Sequence, residues 1–398
     1  MTISAPDVRV GARIRARRQA RGLSLRVVAG LAGIDYSTLG RIERGENPAN
    51  NRFILADIAR ALKCPVEYLT GVAVPAGRDG AETTAATHDT ISALIAADLE
   101  FEPDGEPGTA ADLAERVAAA IELRQACDYA ALTRMLPPLV NDLYAATAGD
   151  DRGQALRMLA RVSEAASFAV RYTGQPAGAH VAADRCRQAA REAGDRVLIA
   201  YGDWARAHAA LGCGLHERAA RIAVRAADDL ADSALPGAPE MRGMLLLTHA
   251  FGLVGAGRPD DAADPLTEAG ELAERTGETD TLSLMFGPTN VRLWKIAMLV
   301  DGGDPHEALT IAGVTNPLLI PSASRQAVFY IDQGRCLGVL GQTDRAVQAI
   351  ETAERIAPQR VHGDPLTVET VRGLLDQAHR RAVGLRLRGL CERVGVAA

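Results

Sequence analysis

Apolar residues recur along this chain at the three- and four-residue spacings of helices, first in short blocks and later in long ones. The first block, Val8–Arg21, puts Val8, Val10 and Ile14 on one face and Arg13, Arg15, Arg17, Arg18 and Arg21 on the other. Two short helices are expected next, in Ser24–Gly33 and Asp35–Gly45. Their apolar Val28, Ala32, Ile34, Leu39 and Ile42 are spaced to face one another across a sharp turn, and Ala29 is small where the helices must touch. Gly33 sits at the reversal, where a residue free to take positive φ is needed. Asp35 can accept from the open N–H groups of the second helix, and Gly45 suits its left-handed end. After a polar loop, Glu46–Arg52, a fourth helix is expected over Phe53–Leu62. A short fifth, Pro65–Leu69, has proline at its start and is closed by Gly71.

Small, glycine and apolar residues at these offsets give a helix-turn-helix, the motif that lays its second helix in the DNA major groove. The exposed side of that helix near its N-terminus offers Tyr36, Ser37, Thr38, Gly40 and Arg41 as base readers. Arg41 can donate two bonds to a guanine edge, or pair with a phosphate or with Glu43. Tyr36 can meet a thymine methyl or a phosphate, and the Ser37 and Thr38 hydroxyls can serve either. Gly40 presents no side chain, which favours close backbone approach or recognition of DNA shape. Phosphate candidates are Arg18 on the first helix, Ser24 at the start of the motif, and Arg44, Asn47, Asn50, Asn51 and Arg52 around the loop.

Five helices in this order, with GLS at 22–24 and RIERG at 41–45, resemble the lambda-repressor-like (Xre-type) DNA-binding domain. Leu25 stands where that family often has a glutamine that helps clamp the DNA backbone, and the loop before Phe53 is longer than usual.

The domain boundary is expected at Gly71. Residues 72–108 read as a linker, because Gly71–Thr87 is rich in Ala, Gly and Thr without an apolar period. One possible helix, His88–Leu99, capped by Thr87 or Asp89, interrupts it before a polar break at 100–108. Thr109, with Asp112 three residues on, then opens a long helical region, 109–398. No period-two run marks a strand there, so the fold class is all-α. A glycine followed five residues later by alanine recurs at Gly214–Ala219, Gly257–Ala262, Gly303–Ala308 and Gly341–Ala346, with weaker copies at Gly174–Ala179 and, one residue longer, Gly149–Ala155. Glycine would let the chain turn between helices, and alanine would let them pack closely. The pattern resembles the tetratricopeptide repeat, an α-solenoid whose units must stack to bury their apolar faces. The whole layout also resembles a family of bacterial regulators, common in actinobacteria, with an Xre-type head and a tetratricopeptide-like body. The stretches FGPTNVRLWK (286–295), HGDP (362–365) and LRGLCERVGV (387–396) carry that likeness.

A solenoid presents the first helix of each pair on its concave side. Candidate ligand-lining residues there are Tyr201, Trp204 and His208, then Asn290, Arg292 and Trp294, and then Phe329, Tyr330, Asp332 and Arg335. The alternative for each is packing between helices.

Charge sharpens the two-part reading. The net charge is −6, yet residues 1–71 hold twelve basic against six acidic side chains, a basic head on an acidic body. A polyanion at one end only is the partner this implies. Six scattered cysteines, none in a C-x-x-C pair, fit reduced thiols better than zinc or disulfides, and no cofactor is expected. No signal or membrane span stands out, so a cytoplasmic, nucleoid-associated protein is expected. No phosphate-cradling loop, nucleophile elbow or H-E-x-x-H motif supports an enzyme. The expectation is a transcriptional regulator that binds double-stranded DNA as a homodimer and answers to a peptide or small molecule. A protein-interaction scaffold whose head no longer binds DNA is the alternative.

Overall fold

A computed structural model describes residues 10–71, 78–101, 103, 108–378 and 384–396. Among these every regular element is helical. Val8 and the linker residues 72–77 lie outside the described set.

The chain divides into two compact units. The first gathers residues 1–73, 296–314 and 327–398, and the second gathers 74–295 and 315–326. The first unit begins with α1 (Val10–Ala20), α2 (Leu25–Ala32), α3 (Tyr36–Arg44), α4 (Arg52–Ala61) and α5 (Val66–Thr70). Their core is built from Val10, Ile14, Val28, Ala29, Leu39, Ile42, Leu55, Ile58, Leu62 and Leu69, all buried. These positions are the apolar ones of the sequence pattern, so amphipathic spacing alone accounts for this packing.

The second unit runs through α6 (Arg78–Ala96), α7 (Ala110–Ala126), α8 (Tyr129–Ala146), α9 (Arg152–Tyr172), α10 (Pro176–Glu192), α11 (Arg196–Gly212), α12 (His216–Asp228), α13 (Ala238–Gly255), α14 (Ala263–Thr276) and the first part of α15 (Pro288–Gly302). From α8 to α14 each helix packs on the next. The rest of α15 belongs to the first unit, with α16 (Pro305–Gly313), most of α17 (Ala323–Val339), α18 (Thr343–Ile356), α19 (Pro358–His362), α20 (Pro365–Ala378) and α21 (Leu385–Arg393).

The glycine–alanine recurrence has one structural cause. Gly174, Gly214, Gly257, Gly303 and Gly341 all take φ between 70° and 91° just past a helix end. The next residue then turns its N–H back to a carbonyl five residues earlier, as Leu215 does to Ala210 at 2.9 Å and Gln342 to Leu337 at 2.9 Å. This is the bonding of a left-handed helix cap, which side chains with a Cβ resist. The paired alanines 179, 219, 262, 308 and 346 are all buried where the next helix starts. Gly149 does not share the left-handed φ, in line with its irregular spacing.

Residues 78–87, expected in the linker, are the first half of α6. The stripe that buries this helix is Thr83, Thr87, Thr90, Leu94 and Ala97, at helical spacing but mostly hydroxylic. The hydroxyls of Thr87 and Thr90 are both supplied. Thr87 donates to the Thr83 carbonyl at 2.7 Å and meets Thr173 at 3.0 Å, while Thr90 reaches the carbonyls of Ala86 and Thr133. A threonine whose O–H bonds the preceding turn buries its methyl group without stranding a donor. Thr87 is therefore an interior residue of α6 and not its cap. Thr109 does cap α7, accepting from Asp112 N–H at 3.2 Å.

Candidate nucleic-acid interface

α2 and α3 are each capped by a side chain at the start and by a left-handed glycine at the end. Ser24 Oγ accepts from Val27 N–H at 3.2 Å, and Gly33 ends α2 at φ 65°. Asp35 accepts from Ser37 N–H at 2.7 Å, and Gly45 ends α3 at φ 73°. The Ser37 hydrogen bonds hold the exposed Asp35 carboxyl below the usual carboxylate range. Its charge also complements the positive end of the α3 dipole.

On the outward side of α3, Tyr36, Ser37 and Arg41 are exposed and Thr38 is half-buried. Glu43, which could have neutralised Arg41, turns inward and is taken by Arg18. The Arg18 guanidinium meets both carboxylate oxygens at 2.6 and 2.7 Å and also donates to the Leu23 carbonyl at 2.9 Å. With both partners nearly buried, this pair ties α1 to α3 inside the fold. Arg41 is exposed, makes a long contact to Thr38 Oγ1, 3.5 Å, and lies in the fields of Asp35 and Glu46. Arg26 lies over the Tyr36 ring, 5.8 Å from its centroid, and adds a second cation to this face. Gly40 is buried: a Cβ there would stand 3.2 Å from the Arg44 guanidinium. Arg44 thus covers the gap that glycine leaves, while bonding Glu46 at 2.6 and 2.8 Å.

Three of the side chains expected at phosphates are engaged within the fold. Arg18 is an internal clamp, for the reason just given. Asn51 caps α4, accepting from Phe53 and Ile54 N–H at 3.0 Å each, and donates to the Asp301 carbonyl at 2.8 Å. Arg52 pairs through Nε with Asp301 at 2.6 Å and through its terminal nitrogen with Asp332 at 3.4 Å. Asn50 is drawn in as well, donating to Thr370 Oγ1 at 3.2 Å. At the centre is Arg335, which meets Asp301 at 2.5 Å, Asp332 at 2.9 Å and the Asn50 carbonyl at 2.7 Å. Asp301, Asp332 and Arg335 are all buried. Burial works against ionising Asp301, but the guanidiniums of Arg335 and Arg52 outweigh it and hold its carboxyl low. For Asp332 burial prevails and the carboxyl is pushed up, while Arg335 is held protonated by the two acids. Ser24, Arg44 and Asn47 remain at the rim of the motif, and Asn47 is half-buried beside a cavity described below.

The proposed ligand-lining side chains fall in different places. Tyr201 and Trp204 are completely buried, and they continue a ring cluster in which Trp204 lies 5.5 Å from Phe168 and 4.5 Å from His208. His208 is in turn 5.7 Å from Trp294, which meets Phe251 edge-on at 5.6 Å. These are core contacts at ordinary aromatic distances. Burial, reinforced by the charge of Arg171, pushes His208 well below its usual range, so the ring is neutral. Asn290 is buried, with its amide directed to the Leu284 carbonyl at 3.4 Å. Asp332 and Arg335 belong to the ion network, Phe329 stacks edge-on with half-buried Tyr330, and Arg292 is exposed. Packing, the alternative for each of these residues, describes Tyr201, Trp204 and Asn290 best. Asp301 was missed in the sequence: an acid at the end of an apolar helix carries no sign that its partner lies 249 residues away.

Among the described residues no three or more His, Cys, Asp or Glu are placed to hold a metal ion, and no helix is long and apolar enough to cross a membrane. A family described as a helix-turn-helix domain matches residues 9–69. No curated protein and no solved structure matches the chain. The N-terminal part is therefore a helix-turn-helix domain, which points to a DNA-binding regulator.

Proposed function

We propose that the protein is a transcriptional regulator that recognises double-stranded DNA in a sequence-specific way, with α3 as the reading helix. The observation that carries this is the division of labour among the arginines. Arg18 takes Glu43 and Arg44 takes Glu46, and Arg41 is left exposed beside Ser37 and Tyr36. An outward guanidinium on a recognition helix suits the bidentate contact with guanine. Phosphate positioning then rests on Ser24, Arg26, Arg44 and Asn47, because Asn51 and Arg52 are committed elsewhere.

One helix-turn-helix reads a half-site, so the active form in this reading is a homodimer on an inverted repeat. The Xre subtype, the tetratricopeptide-like body and control by an effector belong to the same reading and rest on the sequence resemblance. Selection from a random duplex library with the full chain tests it. An enriched inverted repeat, with half-site centres about 10 base pairs or a multiple apart, is expected. Recovery of unenriched DNA would refute sequence-specific binding.

A further inference from the structure

Beside the recognition helix lies a partly open cavity of about 300 Å³. Thr38 and Ile42 of α3 and the loop Glu46–Asn51 form one side of it, and Ile54, Leu55 and Ile58 of α4 form another. Gly338 and Val339 of α17, with Thr370, Leu374 and Gln377 of α20, complete it. We propose that this cavity binds a small, flat, uncharged molecule bearing an amide-like group, and that its occupation changes the affinity of α3 for DNA. The second half of this proposal rests on the DNA-binding reading above, whereas the first half stands alone.

Size and wall chemistry choose the ligand. An apolar cavity of about 150 Å³ takes benzene, so this one has room for about two fused rings. It also reaches the lower end of the range for small-molecule sites. The inner wall is aliphatic, from Ile42, Leu55, Ile58 and Leu374, which are also buried core residues. Polar groups on the walls are hydroxyls and amides, Thr38, Asn47, Asn50, Thr370 and Gln377. Amides donate and accept at once and match a group that does the same. Among the described residues, the one charged side chain lining the cavity is Glu46, already paired with Arg44. Among the described residues lining the cavity there is no cation to hold a carboxylate or phosphate, so an anion would lose its hydration there without recompense.

Coupling to DNA follows from what can yield. The end of the loop at Asn50–Arg52 is fastened by Arg335, Asp301 and Thr370. Pro48 already crowds α20, where a Cβ on Gly373 would stand 3.1 Å from its ring. A guest that widens the cavity therefore displaces the free end of the loop and the α3 turn carrying Thr38 and Ile42. The effect on DNA equals the ligand's preference for one α3 position over the other.

Titration calorimetry of the full chain with 2-naphthamide and 2-naphthoate tests the site. Val339→Trp fills the mouth from a position that is 64% exposed, so folding should tolerate it, and Val314→Trp, at 76% exposed and away from the cavity, is the control. One naphthamide per chain should bind to the native protein and to Val314→Trp. Binding should weaken about tenfold or more in Val339→Trp, and naphthoate should bind the native chain about tenfold more weakly than the amide. Absence of binding, equal binding to Val339→Trp, or preference for the anion would overturn the site. Saturating naphthamide should also shift operator affinity about threefold or more in the native chain and not in Val339→Trp. Binding without that shift overturns the coupling but not the site. A chain that never binds DNA would defeat the functional reading instead, with the calorimetry unaffected.

Discussion

Arg335→Met removes the centre of the ion network while keeping most of the side-chain volume. Arg335 is 3% exposed and its partners Asp301 and Asp332 are 0% and 1% exposed, so water cannot replace what is lost. Asp301 would retain Arg52 at 2.6 Å, but Asp332 would be left with a 3.4 Å contact and the Asn50 carbonyl would lose its donor. Breaking a buried ion pair on one side costs about 3–5 kcal/mol, against about 0–1 kcal/mol for an exposed pair. Removing the stranded acid as well, in Asp332→Leu/Arg335→Met, should recover part of that loss, since an apolar pair tolerates burial where a lone carboxylate does not. The pH dependence has a definite sign. Arg335 and Arg52 hold Asp301 low against burial, so the stabilisation is complete above the unfolded carboxyl range, near about 4, and fades as pH falls through the folded value. The gap between native and Arg335→Met should therefore narrow in acid. Amide exchange on peptides from 46–62 and 296–305, with urea unfolding followed by circular dichroism, measures it. A loss below about 1 kcal/mol at pH 7, or a double variant no better than the single one, would refute the reasoning.

Three further outcomes are expected. Arg18→Met should destabilise the head by about 3 kcal/mol, since both partners of the pair are nearly buried, yet leave the salt dependence of DNA binding unchanged. A slope reduced by about one ion would make Arg18 a phosphate ligand after all. His208, held neutral below its ordinary value of 6.5, should lose stability to the unfolded state as pH falls below that value, by up to about 1.4 kcal/mol per pH unit. Urea melts read by the two tryptophans, both in the second unit, should show this loss, and His208→Gln should flatten it; a flat native profile from pH 7 to 5 contradicts it. Gly257→Ala meets no atom within 4 Å but must hold φ 76°, so it should cost about 1–2 kcal/mol, whereas Gly149→Ala should be nearly neutral. Equal melting temperatures for the two variants would remove the backbone explanation of the repeat.

What could be read from the sequence was what is local. Gly33, Asp35 and Gly45 act within a turn or two of themselves, and each does what its chemistry and position imply. The recurrent glycines were legible for the same reason, because a left-handed helix end with a buried alanine after it repeats as a short pattern. The first half of α6 was hidden because Thr83, Thr87 and Thr90 do the work of apolar residues and read as polar. The internal partners of Arg18 and Arg52 are not legible because a cation in a basic head looks the same whether it meets a phosphate or a distant acid. Glu43 lies 25 residues from Arg18, and Asp332 lies 280 from Arg52. Tyr201, Trp204 and His208 share a helix face in the sequence, but their depth comes from how α9, α11, α13 and α15 converge, which spacing along one helix does not reveal.

The most direct measurement is operator affinity as a function of salt for the native chain and for Arg41→Ala, on the site obtained by selection. The native protein should show a log–log slope of several ions, and Arg41→Ala should lose about 1–3 kcal/mol together with its preference at one base pair. Affinity indifferent to salt, or an Arg41→Ala variant that keeps both affinity and preference, would contradict the assignment of α3 as the reading helix.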